Sequence, residues 1–201
     1  IDFFECKGKR SGAYSGGCYD TFPYILLNYN ETLNSVFTLI HELGHSVHSY
    51  LSHETQPFCY SDYSIFVAEV ASTTNELLLT DYLLTITDDQ GFKAYLLNHL
   101  CDGFKGTIYR QVQFAEFEKI IYEKVESDIP LTVDELSKTY YEINKKYYGP
   151  GVSKPDQRIE LEWARIPHFY YNFYVYKYAT GLSAAVCLSE NILTGEKEKV
   201  N

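Results

Sequence analysis

Apolar and polar residues recur along this chain with two different periods. Before residue 30 the pattern is short and strand-like. Tyr24-Ile25-Leu26-Leu27-Asn28-Tyr29 follows Pro23 and reads as a strand, and the glycine-rich run from Ser11 to Gly17 reads as a turn. From Leu33 the period lengthens. Val36, Phe37, Ile40, Leu43, Gly44, Val47, Tyr50 and Leu51 recur at helical spacing. Asn30, Thr32 and Asn34 can each cap that helix, and Glu31 suits its first turn. Further helices are expected over roughly 64–86, 89–102, 103–127, 132–147 and 168–192. Breaks fall at Ser127-Asp128-Ile129-Pro130 and from Tyr148-Gly149-Pro150-Gly151 through Pro155. The pattern predicts a mainly α fold with a small β-sheet near the N-terminus, and 201 residues can bury a full core as one domain. No apolar run is long enough to span a bilayer.

The first long helix carries His41-Glu42-Leu43-Gly44-His45, an H-E-x-x-H stretch. Residues four apart lie one turn apart on the same helical face, so His41 and His45 can share one metal ion. Glu42 then stands at the flank of that ion, where a base can take a proton from a water held there. The spacing predicts zinc-assisted hydrolysis of peptide bonds, given a third ligand. Gly44 is a poor helix former, and a glycine between two ligands signals that another segment packs close.

A catalytic zinc takes three protein ligands and keeps one position open. Four later residues offer themselves: His48, His53, Asp62 and Glu69. His48 lies three residues past His45, and another turn of straight helix carries it away from the ion. The motif that recruits a later histidine in line first turns the chain at a glycine, and Ser46-Val47-His48-Ser49-Tyr50 has none. His48 is therefore read beside the ligand shell, facing substrate or surface. His53 falls in an expected loop from Ser52 to Pro57. Glu69 is the better choice. It is a lone carboxylate among Phe66, Val67, Val70 and Ala71 on a second expected helix, where a metal would compensate its burial. Small Ala68, Ala71 and Ser72 let that helix approach the first. Glu76, two turns on, is placed to orient a ligand histidine.

Composition narrows the class. The net charge is −10, which disfavours nucleic acid and anionic membranes as partners and suits neutral or basic peptides. The five cysteines, Cys6, Cys18, Cys59, Cys101 and Cys187, show no metal-binding spacing and fit reduced thiols in a cytoplasmic protein. Aromatics make up 16% of the chain, mostly tyrosine, and tyrosine hydroxyls need polar partners when buried. They concentrate between His168 and Tyr178. An aromatic stripe is ordinarily core, yet a phenol or imidazole beside zinc can donate to the oxyanion formed when water attacks a carbonyl.

Several stretches together resemble a known family. They are His41 to Ser49, Asp62 to Ser72, Gly8-Lys9-Arg10-Ser11-Gly12-Ala13-Tyr14-Ser15-Gly16-Gly17, Asn144 to Gly149, and Trp163 to Tyr174. They are similar to the oligoendopeptidase F enzymes of the thimet oligopeptidase group of zinc peptidases, over almost the whole chain. The resemblance implies a gluzincin-like domain with Glu69 as third ligand beside His41 and His45, one zinc ion, and Glu42 as base. It implies short peptides as substrates, enclosed in a deep channel. It favours His168, Tyr171 and Tyr174 as oxyanion donors, with Tyr176 in reserve. Members of the family are much longer, so this chain is expected to be their C-terminal catalytic part, lacking an N-terminal region and able to self-associate through the surface that region would cover.

Two rivals stand beside this reading. A zinc carboxypeptidase would use the same chemistry with a cation placed for the free C-terminal carboxylate, and Arg110, Arg158 and Arg165 are available. A metal-binding fragment inactive in isolation is the other.

Overall fold

The structure, a computed structural model, describes residues 1–149 and 156–200. It is mainly helical, with one small sheet. The described helices are α1 (Leu33–Thr55), α2 (Ile65–Ile86), α3 (Gln90–Phe104), α4 (Arg110–Glu126), α5 (Val133–Tyr148), α6 (Tyr176–Leu193) and the short α7 (Lys197–Val200). The strands are β1 (Tyr14–Gly16) and β2 (Tyr24–Leu26), paired antiparallel with Ser15 opposite Ile25. The chain packs as two compact units, one formed by Ile1–Leu100 with the stretch from Gly181 on, the other by Cys101–Thr180. Among the described residues, no helix is long and apolar enough to cross a membrane.

In the first unit, α1 lies along α2, and the sheet sits against α1. Thr32 is the N-cap of α1: its hydroxyl accepts from the Ser35 N–H at 3.3 Å. Asn30 supports the cap by accepting from the hydroxyls of Thr32 and Ser35. Glu31 does not join the first turn as expected. It precedes the cap with φ of 60°, because the chain must reverse sharply to enter the helix.

The two helices meet most tightly at Gly44. A Cβ there would stand 2.6 Å from the Ser72 Cα and 3.0 Å from the Ala71 carbonyl oxygen, so they touch backbone to backbone. Ser72 is fully buried at the contact. This explains why a poor helix former occupies the middle of α1. Gly44→Ala should gain up to about 1 kcal/mol of helix propensity and lose more to overpacking, roughly 1–3 kcal/mol. The variant should therefore melt earlier. A raised melting temperature would contradict this account of the contact.

The N-terminal strands differ from expectation. The run Ser11–Gly17 is not all turn: Gly12, with φ of 101°, makes the bend and β1 follows directly. The strand expected over Tyr24–Tyr29 is shorter and is not a free edge. With β1 on one side of it, residues 2 and 3 pair on the other, through Asp2 N–H to Ile25 O at 2.8 Å and Tyr29 N–H to Phe3 O at 2.9 Å. The edge without a second strand among the described residues belongs to β1.

The second unit is built on α4, α5 and a 3₁₀ stretch, Gln157–Arg165. Phe114, Phe117, Tyr140, Ile143, Ile166 and Val175 form its core. Inside it, the buried Glu162 carboxylate binds Arg110 at 2.7 Å, Arg165, and the Tyr140 hydroxyl at 2.7 Å. The break expected near residue 102 is absent: the chain stays helical through a π-turn, Lys105–Tyr109. The helix α5 ends where Gly149, at φ of 69°, caps it. The remainder of the predicted Gly/Pro break, 150–155, lies outside the described residues.

The segment from His168 is not the continuous helix predicted. Pro167–Tyr170 is one 3₁₀ turn, the chain bends through Tyr171–Phe173, and α6 starts only at Tyr176. Phe173 adopts φ of 51°, a left-handed conformation that breaks a helix. Its N–H donates to the buried Glu118 carboxylate at 2.9 Å, and its ring stacks on Tyr122. A long-range bond to α4 thus overrides the local helical pattern.

Candidate metal and active site

The pair α1–α2 brings three ligand atoms together. His41 Nε2 and His45 Nε2 are 3.1 Å apart, and Glu69 Oε2 lies 3.3 Å from the first and 3.9 Å from the second. A tetrahedral zinc with bonds of about 2.0–2.1 Å needs ligand atoms about 3.4 Å apart. The three atoms therefore form one face of such a tetrahedron, and two imidazoles with a carboxylate are donors that zinc accepts. Among the described residues this is the one cluster of three or more histidine, cysteine or carboxylate ligands that converges in this way.

The surroundings orient these groups. His41 Nδ1 donates to Glu76 Oε1 at 2.5 Å, which turns Nε2 toward Glu69 and His45. Burial alone would lower the His41 imidazole, but hydrogen bonds to Glu69 and Glu76 push it up to about 10. Its proton therefore stands where a cation would, and must leave when a metal enters. His45 is held low, first by burial and then by the charge of His41. The His41 hydrogen bond holds the Glu69 carboxyl low, against its burial. The apolar company foreseen for Glu69 is only partly buried: Ile65, Phe66 and Val67 in the first turn of α2 are exposed. The compensation of its charge comes from the two histidines and the Ser72 hydroxyl instead.

Glu42 is buried beside this triad. Burial pushes its carboxyl up, while the positive charge of His41 and a hydrogen bond from the Ser15 backbone N–H draw it back down. Its Oε2 is buried with no hydrogen-bond partner. An unsatisfied buried carboxylate oxygen is costly in a purely structural role, and it suits a base waiting for a proton. The bond from Ser15, together with Ser15 Oγ against Ser46 Oγ at 2.8 Å, sets β1 directly against the motif. The reading of the chain alone missed Ser15, since a backbone donor has no signature in residue types.

The other three ligand candidates stand apart from the triad. The His48 ring is stacked on Tyr63 with centroids 3.7 Å apart. His53 packs against Tyr19. Asp62 is exposed. In the second unit, His168, Tyr171 and Tyr174 come together: the His168 and Tyr174 rings stack at 5.6 Å, and Tyr171 and Tyr174 lie at 6.2 Å. Tyr178, four residues past Tyr174 and given no role by the sequence, donates its hydroxyl to that of Tyr174 at 3.1 Å. Tyr171 is 65% exposed, and Tyr176 is exposed too. Arg110, Arg158 and Arg165 are each bound to a carboxylate, the first and last to Glu162 and Arg158 to Asp156.

A sequence profile of Peptidase family M3 matches residues 1–200. The chain belongs to Peptidase family M3. Within the family it is 56% identical over 201 residues to the oligopeptidase PepF of Bacillus subtilis, covering all of this chain and 30% of that protein. It is 54% identical over 199 residues to the group B oligopeptidase PepB of Streptococcus agalactiae, covering 98% of this chain and 33% of that protein. The crystal structure of oligoendopeptidase-F from Enterococcus faecium superposes with a TM-score of 0.72 at 52% identity, over 83% of this chain and 30% of that one. The chain thus spans about a third of the length of the M3 relatives it matches, and the mainly helical fold with its small N-terminal sheet is the fold of the family.

Proposed function

We propose that this chain carries the catalytic site of a zinc-dependent endopeptidase acting on short oligopeptides. The observation that carries the proposal is the convergence of His41, His45 and Glu69 on one tetrahedral face, with the unsatisfied Glu42 oxygen beside it. Membership of family M3 and the oligopeptidase names of its relatives support it.

His41, His45 and Glu69 would hold the metal. A zinc ion there would act as a Lewis acid, acidifying a water molecule and polarising the scissile carbonyl. Glu42 takes the proton from the attacking water and delivers it to the leaving amine, a task for which a carboxylate with a raised pKa is suited. Glu76 keeps His41 in the tautomer that presents Nε2. The edge of β1 next to Ser15 offers backbone groups for an extended peptide, which binds without demanding a particular sequence. The resemblance to oligoendopeptidase F favours His168, Tyr171 and Tyr174 as donors to the oxyanion.

Endopeptidase action is favoured over carboxypeptidase action by the oligoendopeptidase name of the Enterococcus faecium relative; Arg110 and Arg165 share Glu162, and Arg158 pairs with Asp156. The cytoplasm suits the five exposed free cysteines. Apolar groups stand exposed along α1 and the nearby loops, including Val47 and Leu51, with Phe22 84% and Phe58 75% exposed. Further chain of the kind that makes up the rest of the relatives would cover this surface and wall the site into a channel; without it, the same surface favours self-association.

The test pairs zinc content with cleavage of peptides blocked at both ends. About one zinc per chain and internal cleavage of blocked peptides are expected, with faster cleavage when the chain is extended at its N-terminus to the length of its relatives. Cleavage only of peptides with a free C-terminus would favour the carboxypeptidase reading. Zinc without cleavage in either length would leave a metal-binding module.

A further inference from the structure

Two residues weighed as metal ligands, His53 and Asp62, share the wall of a different cavity in the same unit. It has a volume of about 220 Å³, and Gly16, Gly17, Ser49 and Tyr63 line it with them. Its position relative to the metal cluster follows from the elements that build it. Ser49 is four residues past His45 on α1, an advance of about 6 Å. Gly16 directly follows Ser15, whose N–H touches Glu42. A peptide extended along β1 advances about 3.3 Å per residue and alternates its side chains. The cavity is thus a neighbour of the metal cluster along both α1 and β1, and the two glycines put no side chain in the way.

The lining also has a chemical bias. The hydroxyls are already engaged: Ser49 and Tyr63 share a hydrogen bond at 2.6 Å, and the Ser61 hydroxyl donates to the Phe58 carbonyl at 3.0 Å, while His53 Nδ1 is buried with no partner among the described residues. The Asp62 carboxylate has no hydrogen bond and no ion pair among the described residues. The nearby surface is aromatic. Tyr19 packs on His53 and Phe58, and Phe22 stacks on Tyr50. Aromatic faces beside a carboxylate suit a side chain with an apolar stem and a cationic head.

We propose that this cavity is a substrate subsite for a lysine or arginine side chain, with Asp62 as the residue that selects it. The proposal rests on the peptidase reading and adds a preference to it. Asp62 is the charge partner, Gly16 and Gly17 form the open floor, and the neighbouring aromatic rings pack the stem.

The experiment uses end-blocked, internally quenched peptides that differ at one position, scanned on both sides of the scissile bond, as lysine, norleucine or glutamate. With the zinc-loaded protein, kcat/KM should favour lysine over norleucine by about fivefold at one position, the scale of a partly solvated ion pair. Asp62→Asn should bring that ratio to about one, and Asp62→Lys should turn the preference toward glutamate. An unchanged lysine-to-norleucine ratio in Asp62→Asn would overturn the proposal. Affinities of the same peptides for Glu42→Gln, with and without Asp62→Asn, are measured in parallel. They report on the subsite without turnover, so a failed peptidase reading is seen as absent cleavage, and a failed subsite as equal affinity for lysine and norleucine peptides.

Discussion

Glu42→Gln should lower the peptidase rate by about 10²–10⁴, the usual contribution of a general base, while the protein keeps its zinc. The reasoning lies in the geometry of α1. His41 and His45 point their Nε2 atoms at a common position with Glu69, whereas Glu42 points beside it and receives a hydrogen bond from Ser15. Glutamine preserves the size of the side chain and can still accept from the Ser15 N–H, so the strand stays in place. It cannot take a proton from water. His45→Ala, in contrast, removes one corner of the ligand face and should release the metal and the activity together. Zinc content by metal analysis, set beside the rate on one blocked peptide, separates the two roles. Equal zinc loss in both variants would show that Glu42 is a ligand and not the base.

Tyr174→Phe should lower kcat by about 10²–10³, the scale of one lost oxyanion donor, with KM and zinc content nearly unchanged. Tyr174 is singled out from its neighbours by its hydrogen bond. It accepts from the Tyr178 hydroxyl, which leaves its own proton free to donate and makes it a better donor. His168 stacks on its ring and fixes its orientation. Tyr171→Phe should have the smaller effect, since that side chain is mostly exposed and meets Tyr174 through ring contact. Because Phe173 holds the intervening turn in a left-handed conformation through Glu118, circular dichroism on each variant shows whether the turn has survived. An unaltered kcat in Tyr174→Phe and in His168→Ala would make this aromatic cluster structural.

The candidate metal site was legible in the sequence because its information is local. Two histidines four apart need only one turn of helix to meet, and the apolar repeat from Val36 to Leu51 supplies that helix. Gly44 was readable as a close contact because only steric demand justifies a glycine there, and the contact proved to be the Ser72 backbone. Glu69 stood out among four candidates as a carboxylate in apolar company, and the fold carries the other three elsewhere. The helix predicted from His168 through Val175 failed for the opposite reason. Its pattern is helical by composition, but a carboxylate 55 residues earlier binds the Phe173 N–H and holds the bend. The boundary expected between helices at residues 102 and 103 failed too, since the chain stays helical there and continues through a π-turn.

By itself the sequence determined the family and the helical class, and it singled out His41, His45 and Glu42 as candidates, because these depend on residue type and on local spacing. Tertiary structure alone decided which strand edge lies beside Glu42, which tyrosine is left with a free proton, that the three arginines pair with Glu162 and Asp156, and that His53 and Asp62 line one cavity apart from the cluster of His41, His45 and Glu69. These depend on backbone groups and on partners far apart in the chain. Backbone N–H groups are the same in every residue but proline, and a long-range pairing leaves no periodic trace in the chain, so neither can be read until the helices have packed.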